Sequence, residues 1–126
     1  MKNIKTTIED HIVTNTVSSD TTLPEISEYI SMNSKAWANK YVIWILNDFN
    51  FDHINSDTIR SFIHITKEAS KNRKGLKTAM VAKSDINFRM TRMLSMLAFE
   101  KYAFPIEAFR DPSTAKEWFG ENNKNI

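Results

Sequence analysis

The chain contains no cysteine, which removes disulfides, thiolate nucleophiles and cysteine-ligated zinc or iron–sulfur sites together. Glycine is nearly as scarce, with only Gly75 and Gly120 in 126 residues. A Gly-x-Gly-x-x-Gly dinucleotide turn, a phosphate-cradling P-loop and the glycine-flanked serine of a nucleophile elbow are therefore excluded. His11, His53 and His64 are scattered, with no i, i+4 pair around a glutamate, so no metal site is expected. No apolar run approaches the roughly 18 to 20 residues of a membrane helix. The opening Met1-Lys2-Asn3-Ile4-Lys5 leads into polar residues and not into the apolar stretch of a signal peptide. These absences predict a cytoplasmic protein with no membrane insertion, no cofactor and no catalytic residues of its own, hence no enzyme.

With 41% hydrophobic and 25% charged residues, the chain has enough apolar side chain for one core and is of ordinary length for one domain. Its net charge of +2 is unevenly spread. Residues 1–59 hold four Lys/Arg against eight Asp/Glu, giving −4, while residues 60–126 hold thirteen against seven, giving +6.

The apolar pattern alternates between strands and helices. Ile4–Ile8 and Ile12–Val17 are rich in β-branched residues and flank Glu9-Asp10-His11, which predicts an antiparallel hairpin. Thr22-Leu23-Pro24-Glu25 has the form of a capping box with proline in the first turn, opening a helix to about Ser31. Tyr41–Leu46 is continuously apolar and β-branched, as a strand buried on both faces should be. Asn55 or Ser56 can cap a second helix with Ile59, Phe62, Ile63, Thr66 and Ala69 on one face, and Gly75 as its stop. Thr78–Ala82 reads as a strand. Ser84 caps a Met-rich helix over about 85–100, in which Ile86, Met90, Met93, Leu94 and Leu97 form the expected inward stripe. Pro105–Phe109 is a short strand with its proline at the start or on an edge. Asp111-Pro112 opens a last helix with Ala115, Trp118 and Phe119 inward and Gly120 as its stop. The order β-β-α-β-α-β-α-β-α implies an α/β fold with a largely parallel sheet, an N-terminal antiparallel hairpin and about four flanking helices. The domain is expected over 1–120, with 121–126 a disordered tail.

Two stretches resemble the STAS domain family. Val42-Ile43-Trp44-Ile45-Leu46-Asn47-Asp48-Phe49-Asn50, with Ile54-Asn55-Ser56-Asp57, is similar to the strand, Asp-Leu-Ser loop and helix start of anti-sigma factor antagonists. Lys77 to Met93, followed by Phe109-Arg110-Asp111 and Ala115-Lys116-Glu117-Trp118, resembles the SpoIIAA-like branch, with its strand, Ser-Asp cap, Arg-Met pair and Phe-Arg-Asp ending. The resemblance covers nearly the whole chain in element order. It implies a regulatory domain that binds another protein, with signalling or anti-sigma-type regulation in view, and no catalysis of its own. It also implies a phosphoacceptor serine at the start of the helix after the third strand. The spacing from Asp48 is one residue short: ungapped, Asp57 occupies that position, and with one deletion Ser56 does, preceded by Asn55.

The same residues have plainer readings. Ser56 is either that acceptor or an ordinary N-cap, and Asp48 either a site residue or a loop former. Ser84, Asp85, Arg89, Arg92 and Arg110 can frame an anion site or stand as solvated charges around a cap. Met90, Met93 and Met96, with Phe88 and Phe99, can line an apolar-ligand pocket, form a homodimer contact, or pack as core. Arg60, His64, Lys67, Lys71 and Lys74, continued by Arg73 and Lys77, form a basic stripe. It lacks interleaved aromatics, so a solvated face is expected and nucleic acid is not. The leading expectation is a protein-binding regulatory domain. The alternative is a binder of a small apolar or anionic ligand near helix 85–100, with a pocket bordered by Phe88, Arg92 and Met93.

Overall fold

The computed structural model describes residues 3–73, 76–98, 101–102 and 104–121. The elements are β1 (Ile4–Glu9), β2 (Ile12–Val17), α1 (Leu23–Asn33), β3 (Tyr41–Ile45), α2 (Ser56–Ala69), β4 (Thr78–Val81), α3 (Asp85–Ala98), β5 (Ile106–Phe109) and α4 (Pro112–Glu121). This is the expected α/β order.

The hairpin between β1 and β2 closes through Asp10-His11, with Asp10 at φ 54°. Aspartate tolerates that left-handed conformation better than most residues, so the turn forms without glycine. The five strands form one sheet in the order β1-β2-β3-β4-β5, antiparallel between β1 and β2 and parallel thereafter. Each parallel step advances one strand in the same direction. Right-handed crossovers therefore put α1, α2 and α3 on one face of the sheet. Helix α4, which follows the edge strand β5, covers the other.

Alternation along β3 serves both faces. Val42, Trp44 and the following Leu46 join Val13, Val17, Leu23, Ile26, Trp37, Phe49 and Phe51 in the core beneath the three helices. Ile43 joins Ala79, Val81, Ala115 and Phe119 beneath α4, with Tyr41 and Ile45 packed at its margin. Tyr41 stacks on Phe119 at 4.6 Å between ring centroids, and Trp118 lies 5.3 Å from Phe109. Full burial of a side chain such as Phe119 contributes roughly 1.5–3 kcal/mol. The chain around Phe49 and Phe51, a loop by composition, supplies two buried aromatics at 4.8 Å in edge-to-face contact.

The capping box at Thr22 and Glu25 forms as expected, and α1 runs on to Asn33. Helix α2 is capped by Asn55, whose side chain accepts from the Thr58 N–H, while the Thr58 hydroxyl accepts from the Asn55 N–H. It ends at Ala69 with Ser70 as C-cap, earlier than the basic run suggests; Lys74 and the proposed stop, Gly75, lie outside the described residues. Gly120 sits within the last turn of α4 and does not end it. The tail beyond Glu121 is also outside the described residues.

Two sequence expectations need correction. Arg73 and Lys77 do not continue a solvated stripe, being 4% and 6% exposed. Once α2 stops at Ala69, the chain turns inward and carries both cations under the sheet's lower edge. The inward face of α3 is also not the Ile86, Met93, Leu97 stripe. Its buried residues are Thr91, Ser95 and Ala98, with Met90 and Leu94 half-buried. Small side chains there let α3 approach β4 and β5, which it contacts, and the larger apolar residues are displaced outward.

Candidate functional site

Two regions carry chemistry, at opposite ends of the sheet. The first is at the carboxyl ends of the parallel strands. Ser84 caps α3, its hydroxyl accepting from the Asn87 N–H at 3.1 Å. Asp85 opens the helix, and Arg110, just past β5, donates to Asp85 Oδ1 at 2.6 Å. The Arg110 guanidinium also lies 4.4 Å from the centre of the Phe88 ring. The hydrogen bond and charge of Arg110, aided by Arg89, hold the Asp85 carboxyl below its ordinary pKa. Asn87 donates its side-chain amide to the carbonyls of Leu46, Asn47 and Phe49, and the Lys83 N–H reaches Asn47 Oδ1 at 2.9 Å. Neighbouring loops are thereby tied together.

The structure thus brings Ser84, Asp85, Phe88 and Arg110 into one cluster. Arg110 is already paired with Asp85, so its charge is compensated within the chain. Arg89 and Arg92 are exposed on α3 and form no ion pair among the described residues. Asp48 is exposed in the loop after β3, and Asn55 is the α2 cap. Ser56 is the first residue of α2 and exposed, so the plainer reading of Ser56 as the cap passes to Asn55. Outside this cluster α3 presents an apolar strip to solvent: Ile86 is 73% and Met96 67% exposed, with Met93 and Leu97 beside them. Met96 and Phe88, the two residues off the expected stripe, differ in fate, Met96 facing solvent and Phe88 lying half-buried under Arg110.

The second region was not anticipated. A partly open cavity of about 100 Å³ lies between the sheet and helices α1, α2 and α3. Ile59, Phe62 and Ile63 of α2 form one wall, Leu94 and Ala98 of α3 another, and Val42, Trp44 and Met80 the floor. Phe88, Arg92 and Met93 are not among its lining residues. Strands run upward and helices downward in parallel βαβ units, so the cavity has two unlike ends. Leu23, Leu46, Phe49 and Ile59 lie at the end where the helices begin. Ser34, Thr66, Ser70, Arg73, Thr78 and Tyr102 lie where they finish.

Arg73 dominates the polar end. It donates to Thr78 Oγ1 at 2.6 Å and to the carbonyls of Lys40 and Lys77 at 3.2 Å, with Leu76 at 3.5 Å. Its guanidinium lies 4.4 Å from the centre of the Phe104 ring. All these acceptors are neutral, no carboxylate pairs with it among the described residues, and Nε has no partner. Desolvation lowers its pKa to about 10, leaving it charged at neutral pH. Burying a cation without a counter-charge is costly. Beside it, Tyr102 bonds to the Thr66 hydroxyl, which also donates to the Phe62 carbonyl at 2.8 Å. Burial pushes the Tyr102 phenol upward against the opposing pull of that Thr66 bond. The one sequence hint of this end is that Arg73 falls out of phase with the stripe at 60, 64, 67, 71 and 74.

Among the described residues no group of three His, Asp or Glu side chains could hold a metal ion, and no helix is long and apolar enough to cross a membrane. No family model, curated protein or solved structure matches this chain.

Proposed function

We propose that the protein is a non-catalytic, STAS-like regulatory domain that docks onto another protein through α3. The observation that carries this reading is the exposed strip of Ile86, Met93, Met96 and Leu97 on one helix. An unpartnered apolar strip of this kind is characteristic of an interaction surface, and methionines suit a surface that must adapt to its partner. Arg89 and Arg92 flank it without intramolecular partners among the described residues. The fitting occupant is an apolar groove with an acidic rim. A second copy of this chain is disfavoured, because two such faces would oppose arginine to arginine. Element order and the mixed sheet support the STAS-like reading, and the tied loops around Asn87 give the docking helix a fixed base.

A photo-crosslinking residue at position 96, in protein expressed in its own host, is expected to capture one acidic partner. The same residue at exposed Lys116 on α4 should not. Arg89→Glu with Arg92→Glu should abolish capture without lowering the melting temperature. Capture at position 96 that does not exceed that at 116, or that yields only a dimer of this chain, defeats the reading.

A further inference from the structure

The cavity between the sheet and helices α1, α2 and α3 differs from an ordinary packing gap in having at one end a buried cation that no carboxylate pairs with among the described residues. Purely apolar voids stay dry and take apolar guests, and one of roughly 150 Å³ holds benzene. This one, at about 100 Å³, is smaller but open on one side, so part of a guest can project outward. Its polar end holds the unpartnered Nε–H of Arg73. Ser34 and Ser70, the C-caps of α1 and α2, line the same end. Among these lining residues, Arg73 thus brings a buried donor with no acceptor of its own to satisfy it.

We propose that this cavity binds small carboxylic acids with an apolar body, the carboxylate meeting Arg73, Ser34 and Ser70 and the hydrocarbon lying against Trp44, Phe62 and Leu94. A singly charged anion fits the chemistry. One guanidinium supplies one compensating charge, and its two terminal nitrogens already donate to Thr78 and to backbone carbonyls. A phosphate dianion would exceed that charge and carry a greater desolvation cost. Charge-assisted hydrogen bonds are about twice as strong as neutral ones, and the low-dielectric surroundings strengthen them further. A carboxylate would supply the counter-charge that no described residue gives Arg73. The site is separate from the α3 surface, since none of Ile86, Met93, Met96 or Leu97 lines the cavity.

The test titrates the full chain with hexanoate, 1-hexanol and hexylamine, three probes of one length and different charge, followed by NMR of the indole and arginine Nε signals. Hexanoate is expected to shift the Trp44 indole and Arg73 Nε resonances saturably. Hexanol should bind about tenfold or more weakly, as losing a charged hydrogen bond implies, and hexylamine not at all. Arg73→Met should bring hexanoate down to the level of hexanol. Because that variant also loses structural hydrogen bonds, Ala98→Leu provides the independent check. It fills the cavity wall and should abolish binding while the melting temperature holds. Equal binding of hexanoate and hexanol overturns the proposal, as does hexanoate binding that survives Ala98→Leu, or no saturable shift with any probe.

Discussion

On the α4 face of the sheet, Tyr41 lies flat against Phe119, Ala79, Val81 and Ala115 are wholly enclosed, and Trp118 seals the margin. On the opposite face, Phe62 and Leu94 both border the partly open cavity. One helix covers the first face and three cover the second, yet the single helix makes the tighter seal. The difference lies in side-chain volume. Helix α4 sends two large aromatics onto a strand floor of alanine, valine and isoleucine. Helix α3 turns Thr91, Ser95 and Ala98 inward, and three small residues cannot reach α2.

This contrast is open to direct challenge. Phe119→Ala should be the most damaging change, costing about 3–5 kcal/mol, as large-to-small core substitutions do. Leu94→Ala should cost less than half as much, because a side chain bordering a void already lacks partners on one side. Urea unfolding of both variants makes the comparison, and equal losses would mean the two faces are packed alike.

Adding volume should separate the faces by sign. Ala115→Leu overfills the α4 interface and should destabilise by roughly 1–3 kcal/mol. Ala98→Leu extends into the cavity and should be neutral or stabilise by up to about 1 kcal/mol. A destabilisation at both positions would show that the cavity closes in solution.

The smallest effect concerns pH. Helix α2 is capped by Asn55, which does not titrate, whereas α4 is capped by Asp111. The N–H of Thr114 and the hydroxyls of Ser113 and Thr114 hold the Asp111 carboxyl below its ordinary value of 3.8. A depressed carboxylate adds stability above its unfolded pKa and loses it as pH falls through the folded value. The melting temperature should therefore drop on acidification below about pH 4, and Asp111→Asn should flatten that limb. An unchanged acid limb in Asp111→Asn would assign it to other carboxylates, such as Glu25, whose pKa is lowered chiefly by the Thr22 N–H.

How much of this was legible in the sequence depends on whether local or long-range contacts decide a residue's place. The strands, the Thr22–Glu25 box, the Asp111 cap and the Ala115, Trp118, Phe119 face all follow from spacing within a few residues, and all form as read. Helix α3 did not follow its pattern. Hydrophobicity alone points Ile86, Met93 and Leu97 inward, whereas the close approach of α3 to β5 admits only small side chains. Among the candidate site residues, Ser84, Asp85, Phe88 and Arg110 converge because they share the carboxyl end of the sheet, which the strand order implies. Ser56 lies at a helix start as its sequence context indicates, but the capping role belongs to the residue before it. Arg73 could not be placed from composition. Its burial depends on where α2 stops, and Ser70 marks that stop more weakly than the glycine five residues on.

The inward turn of Arg73 and Lys77 also alters how the protein presents itself to other macromolecules in solution. Isoelectric focusing responds to ionisation wherever it occurs, so both cations count toward a calculated isoelectric point of 8.9. A passing polyanion feels chiefly the charges at the water boundary, where fields are not absorbed by internal dipoles. With one cation held over Phe104 and the other over Trp118, the outer surface is closer to neutral than the chain's arithmetic suggests. Weak retention on a cation exchanger, for a protein this basic by composition, is the direct chromatographic consequence.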